Sequence, residues 1–294
     1  MRAAVVDGPR TASVRPAPVP EPRPGQVLVR IEGCGVCGSN GPVWEGRPWL
    51  RYPLAPGEPG HEGWGVDVAT GRRVALLSYH AFAEYDVADA DAVVALPDEL
   101  ADMPFPGEAL ACAVNVFRRS GIEAGQSVGV VGVGFLGSLV LQLARAAGAD
   151  IVAFSRRDWA RELARRLGAR TPDEPRDESC DVVVEVAGVQ ETLDLATRLV
   201  RVRGRLVIAG YHQDAERRVD MQTWNWRGLD VVNAHERDPA VYVRGMSEAV
   251  QAVLDGRLEP RPLITHAFPL DRIADAFEAA RTRPDGFLKA VVTT

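Results

Sequence analysis

A chain of 294 residues with 46 % hydrophobic content is long enough for two domains with real cores, which excludes a disordered or fibrous class. Its net charge of −6 comes without any block of basic residues, which argues against a nucleic-acid partner, because phosphate neutralisation needs a clustered positive face. Of the 34 basic residues only Lys289 is lysine, and this bias toward arginine reads as compositional, not functional.

The N-terminal stretch carries arginines and prolines and no apolar core of signal-peptide length, and four cysteines do not make a disulfide framework; both point to a reducing, cytoplasmic setting. "RAAVV" and "QVLVRIEG" read as strands joined by an extended, proline-rich surface connection. Further strands follow in "GHEGWGVDV" and "HAFAEYDV". From residue 108 the pattern changes to helices alternating with continuous apolar strands, through "SVGVVGVG", "DIVAFS", "DVVVEVAG", "GRLVIAGY" and "LDVVNAHE". Gly148, Gly168 and Gly204 are expected to end the intervening helices. This is the pattern of a parallel sheet covered on both faces, a doubly wound α/β domain. Residues 126–144 lack any charge and imitate a membrane span, but their glycines and Arg145 favour a buried strand and helix, so no membrane partner is expected. The C-terminus reads as strand, helix, strand.

Within "VGVVGVGFLGSLVLQLARAAG", Gly132, Gly134 and Gly137 form G-x-G-x-x-G at a strand-to-helix junction. The first glycine makes a tight turn, the second admits a phosphate to the backbone, and the third lets helix and strand approach. The backbone of Gly132, Gly134, Phe135, Leu136 and Gly137 would then meet a dinucleotide pyrophosphate at the helix N-terminus. At the end of the next strand, where an NAD site carries a carboxylate, the chain offers Ser155, Arg156 and Arg157. A serine leaves room for a 2′-phosphate and arginines clamp it, a contact of about 1.5 to 3 kcal/mol, so NADP(H) is expected in preference to NAD(H). The competing reading is a solvated helix start, with Asp158 turned back to the ribose.

"GCGVCGSNG" places Cys34 and Cys37 two residues apart. A zinc ribbon needs a second close pair, which is absent, and a redox C-x-x-C should open a helix, whereas nothing helical is expected to follow. Cys37, with His61 and Glu62 in "PGHEGWG" and Glu108 in "FPGEALACAV", provides the donor types of a catalytic zinc that keeps one position open, although the spacings alone decide nothing. Glu108 by itself reads as a helix N-terminal carboxylate, and Cys112, four residues on, is a rival ligand. His80, His235 and His266 read as packing or surface residues, with His235 a weak candidate for a cleft. Trp44, Trp49 and Trp64 are candidates for an apolar pocket.

Through "GVCGSN", "GHEGWG", "FAEYDV", "GVGFLG", "EALA" and "FPLDRIADAFEAA" with "FLKAVV", the sequence resembles the medium-chain dehydrogenase/reductase family over nearly its whole length, in particular the sorbitol-dehydrogenase branch. The resemblance implies a mostly β, GroES-like catalytic domain over 1–112 and 256–294, and a Rossmann domain over 113–255. It implies one zinc on Cys37, His61 and Glu108, with Glu62 an outer or exchanging ligand, Cys34 a bystander and Ser39 the hydroxyl that relays the substrate proton. Two departures stand out. Asn40 replaces the family's usual aspartate, and the lobe that holds a second, structural zinc is missing. The implied reaction is hydride transfer between NADP(H) and a secondary alcohol or ketone held in a cleft between the domains, zinc polarising the oxygen. Polyols, sugars or cyclitols are the expected substrates, and a homodimer through the exposed edge of the last apolar strand the expected assembly. A zinc-free quinone or enoyl reductase and a non-catalytic NADPH-binding protein are the alternatives.

Overall fold

Short apolar runs bounded by proline, glycine and aspartate fold the first part of the chain into strands. In the computed structural model, which describes residues 1–294, these are β1 (Arg2–Gly8), β2 (Thr11–Pro16), β3 (Gln26–Val36), β4 (Gly63–Asp67), β5 (Arg73–Leu76), β6 (Tyr85–Asp89) and β7 (Val93–Ala95), with one short helix, α1 (Asn40–Glu45). The chain continues through α2 (Gly107–Ser120), β8 (Ser127–Val131), α3 (Phe135–Ala146), β9 (Asp150–Phe154), α4 (Asp158–Arg166), β10 (Cys180–Glu185) and α5 (Gln190–Leu199). It then forms β11 (Val200–Ile208), α6 (Met221–Arg227) and β12 (Asp230–Asn233), and closes with α7 (Pro239–Leu254), β13 (Ile264–Pro269), α8 (Ile273–Thr282) and β14 (Lys289–Thr293).

Two compact units result: Met1–Ala111 with Asp238–Leu254 and Pro260–Thr294, and Cys112–Arg237 with Asp255–Glu259. The expectation of a second domain over 113–255 had α7 on the other side of this division. Its apolar face explains the difference: Gly245 lies against Ala111, and fully buried Met246 packs on Gly107, both within the first unit.

In the first unit β3 is the organising strand. The sheet runs β13-β14-β3-β4-β5-β7, β6 also pairs with β3, and β1 and β2 form a separate hairpin. Ile31, Val36, Leu76, Phe82, Phe277 and Val292 fill its core. The C-terminal strand β14 lies antiparallel to β3, with Val292 opposite Cys34 and Ala290 opposite Val36, while β4 on the other side sets Gly63 opposite Cys34. Two of the sequence expectations change here. A helix does follow Cys37: α1 starts after Ser39 and is closed by Gly46 in a left-handed conformation (φ 78°). The cysteines nevertheless form no redox pair, because Cys34 is buried inside β3 and both thiols are free.

The second unit is the expected doubly wound domain. Its parallel sheet has the order β12-β11-β10-β8-β9, and Arg170 adds a single parallel bridge outside β9 at Val152. Counting that bridge as a third strand gives the order 3-2-1-4-5-6 of a dinucleotide-binding fold. Val128, Val130 and Val131 of β8 and Val182–Val184 of β10 are all buried, as strands covered on both faces require. The uncharged stretch 126–144 is β8 and α3, and no helix is long and apolar enough to cross a membrane. Gly148 and Gly168 follow α3 and α4 with positive φ, but Gly204 lies within β11, since α5 passes at Val200 directly into the strand. β12 forms one edge, with Asp230, Val231 and Asn233 exposed.

The glycine turn is sterically exacting. Gly132 has φ +110°, and a Cβ on Gly137 would stand 2.0 Å from the Gly132 carbonyl oxygen and 2.9 Å from Val186 Cγ2. Gly137→Ala must therefore push α3 away from β8, at a cost of about 1 to 3 kcal/mol; urea unfolding is expected to show the lowered midpoint, and an unchanged midpoint would contradict the close approach.

Candidate metal and nucleotide sites

The loop after β3 and the turn before β4 bring chemistry together within the first unit. One donor atom from each of Cys37, His61 and Glu62 lies within 4.8 Å of the others. His61 Nδ1 sits 2.8 Å from the Pro59 carbonyl oxygen. A carbonyl only accepts, so Nδ1 carries a proton and Nε2 is the nitrogen left for a metal, an arrangement common to metal-binding histidines. Ser39 Oγ is 3.4 Å from that Nε2, and the Ser39 backbone N–H donates to Cys37 Sγ at 3.5 Å. Buried Asn40 ties the two segments together: its Oδ1 accepts from the Cys37 N–H (2.9 Å), and its Nδ2 donates to the Pro59 carbonyl (3.3 Å). Tyr79, from the segment that joins β5 to β6, stacks on the His61 ring at 6.0 Å.

Burial alone would lower the pKa of His61. The hydrogen bond and charge of Cys37, with the charges of Glu108 and Glu62, outweigh it and hold the ring up to about 10. Glu108, in the first turn of α2, lies outside the close trio but near enough for its charge to act on His61 and on Lys289. Cys112 is half-buried, lies in the second unit and is not among the grouped donors. Thiolate, imidazole and carboxylate are the donors that suit zinc, and the second ring nitrogen of His61 is already anchored, so these residues fit the metal.

Sequence reasoning overlooked the most distinctive residue here. Lys289, the lone lysine, opens β14 and is buried with its Nζ 2.6 Å from Glu62 Oε1 and 2.5 Å from Oε2. The signal was its singularity among 34 basic residues, which composition alone gave no reason to weigh. Burial works against the ammonium, but Glu62 and Cys37 prevail and raise its pKa. Cys34 is a bystander: burial first, then the charge of Glu62, push its thiol well up, so it stays protonated.

Other candidates resolve into packing. Trp44 is buried against Phe277 and donates to Glu278, Trp64 is buried beneath Gly33, and Trp49 is exposed, so the first two belong to the core and do not line a pocket. His80 lies 3.4 Å from Glu58, and His266 stacks on Phe268 and meets Phe287 in a tilted contact. His235 stacks on Tyr211, at the carboxyl ends of β12 and β11. The fifth histidine, His212, was not singled out; its Nε2 meets Oε2 of fully buried Glu185, whose Oε1 accepts from the Ala187 and Gly188 N–H groups and from Thr192, which ties the loops after β10 and β11.

In the second unit α3 begins at Gly134 with no side chain capping it and no carboxylate in its first turn, a helix end suited to an anion. At the end of β9, Ser155 Oγ accepts from the Arg157 N–H (3.3 Å), the Arg157 guanidinium lies 4.7 Å over the Trp159 ring, and Arg156 is exposed. Asp158 opens α4.

Comparison with known proteins finds dehydrogenases. Residues 136–254 match the zinc-binding dehydrogenase family model. The chain is 29 % identical over 198 residues to 2-dehydro-3-deoxy-L-galactonate 5-dehydrogenase of Pseudoalteromonas atlantica, a match that takes in 63 % of this chain and 56 % of that enzyme. It is 24 % identical to sorbitol dehydrogenase of Ovis aries, over 94 % of this chain and 92 % of the relative. A zinc-binding dehydrogenase from Sinorhizobium meliloti 1021, solved bound to NADP, superposes with a TM-score of 0.85 at 27 % identity, covering 100 % of this chain and 99 % of that one. A glycine turn on a doubly wound sheet and a cysteine–histidine–carboxylate cluster in a mostly β unit thus occur in a chain that is similar, over nearly its whole length, to zinc-binding dehydrogenases and sorbitol dehydrogenase.

Proposed function

We propose that this protein is a zinc-dependent oxidoreductase that transfers hydride between NADP(H) and a secondary alcohol or ketone of the polyol, sugar or cyclitol class. The observation that carries the reading is the convergence of Cys37 and His61 with the Glu62 carboxylate, under the charge of Glu108, while His61 is anchored through Nδ1. Cys37, His61 and Glu108 are the ligands in this reading. Zinc, when bound, supplies a Lewis-acid cation for a substrate oxygen. Ser39 Oγ, close to His61 Nε2, is the hydroxyl available to carry the substrate proton away. The backbone of residues 132–137 receives the pyrophosphate, and Ser155, Arg156 and Arg157 receive the 2′-phosphate. A sugar-acid dehydrogenase and a sorbitol dehydrogenase among the relatives support the substrate class. A zinc-free reductase of this fold would have no use for a thiolate, an imidazole and a carboxylate drawn together.

A panel of polyols, sugars and their ketones, followed by nicotinamide absorbance, tests the activity directly. With an active substrate, kcat/KM for NADP+ is expected to exceed that for NAD+ by roughly tenfold or more; a clear preference for NAD+ would remove the role given to the arginines. Glu108→Ala is expected to lose zinc and lower turnover by about a hundredfold or more, while NADPH binding followed by fluorescence changes little; full turnover with zinc retained would sink the ligand assignment. Zinc uptake should also depend on pH. In the metal-free site His61 keeps its proton up to about pH 10, whereas a ligating imidazole nitrogen must be free of it, so binding displaces at least one proton. Chelator competition between pH 6 and 8 is expected to show affinity rising by about tenfold per pH unit for each proton displaced; a flat profile would exclude His61 as a ligand.

A further inference from the structure

Glu62 lies within 4.8 Å of the donor atoms of Cys37 and His61, yet its surroundings are built to hold it elsewhere. Both of its oxygens face the Lys289 ammonium, at 2.6 and 2.5 Å, and both side chains are buried. On the other side there is no space: a Cβ on Gly35 would stand 1.8 Å from Glu62 Oε2, so this strand residue must be glycine for the carboxylate to lie where it does. The lysine is delivered across the sheet by the β3–β14 pairing. It is also the single lysine in the chain, all the other residues of the Lys/Arg class being arginine. A compact ammonium fits between two carboxylate oxygens inside a core, where a planar five-donor guanidinium would need partners in several directions.

The charges point the same way. His61 and Lys289 both feel Cys37, Glu62 and Glu108. With zinc present, the three positive charges of the ion and the ammonium balance one thiolate and two carboxylates. Without the ammonium, the buried set would carry an excess negative charge, and Glu62 would be drawn to the metal.

We propose that Lys289 is a positioning residue for the metal site: by holding both oxygens of Glu62 it keeps that carboxylate as a counter-ion and out of the ligand shell, leaving the third ligand place to Glu108 and the fourth to substrate. This rests on the zinc reading given above. The test is cobalt(II) substitution of the full-length protein, with the visible absorption spectrum reporting ligand number and geometry. Glu62→Gln is expected to retain one metal per chain and the wild-type band positions. Lys289→Met is expected to shift the bands and lower their intensity as Glu62 joins the metal, with kcat reduced at least tenfold and the KM for NADPH unchanged. The double variant E62Q/K289M is expected to return the spectrum to that of the wild type, and it carries the test if Lys289→Met alone fails to fold. A purely structural ion pair would leave the Lys289→Met spectrum unaltered, which would overturn the proposal, as would loss of cobalt or altered bands in Glu62→Gln. If the wild-type protein takes up no cobalt, the zinc reading itself falls, an outcome distinct from either of these.

Discussion

Negative charge cannot be gathered inside a protein unless positive charge is gathered with it, and this constraint governs the first unit. Cys37, Glu62 and Glu108 all act electrostatically on His61. Removing such groups from water costs several kcal/mol per ion before any pairing is counted. Lys289 answers one carboxylate directly, and the proton that His61 retains answers another anion while no metal is bound. A divalent ion replaces that proton with two charges on one centre. The site is therefore poised for a cation by the same electrostatics that keep it stable without one.

That requirement reaches far along the chain. The groups involved lie at residues 37, 61, 62, 108 and 289, so nothing local assembles them; the sheet does. β14 must pair with β3 in a register that sets Ala290 opposite Val36, which carries Lys289 to the end of the strand from which Cys37 emerges. β4 must flank β3 on the other side, which carries His61 and Glu62 to the same place. The cluster then depends on long-range strand pairing, and a change that loosens β14 would disturb the surroundings of Cys37, His61 and Glu62 without altering any of the three. The second unit is built more locally: one strand, one turn and one helix start make the uncapped helix end at Gly134.

Much of this was legible in the sequence because it depends on short-range patterns. Continuous apolar strands, a glycine turn at a strand-to-helix junction and motifs around Cys37 and His61 carry their meaning within a few residues. What escaped lacks such a pattern. Helix α1 has only six residues and starts in a stretch whose glycines read as loop. For α7, periodicity marks an apolar face but cannot say which unit covers it. Trp44 and Trp64 look alike in a list of aromatics near motifs, and only the packing of Phe277 and Gly33 against them identifies core. Lys289 was visible as the single lysine, but its meaning needs the register of a strand that begins more than two hundred residues after the carboxylate it holds.

The same balance of charge gives a reason for Asn40, where the family resemblance leads one to expect aspartate. Its amide does two things at once: the oxygen accepts from the Cys37 N–H and the nitrogen donates to the Pro59 carbonyl, the carbonyl that also anchors His61. An aspartate could perform the first task and not the second, since an ionised carboxylate has no proton to donate. It would also add a further buried anion beside Cys37, Glu62 and Glu108, which already act together on His61 and Lys289. With Lys289 as the cation paired to Glu62, a neutral residue at position 40 keeps the Cys37 and His61 loops joined without adding to the buried negative charge, so the departure from the family pattern and the lone lysine both limit the charge gathered there.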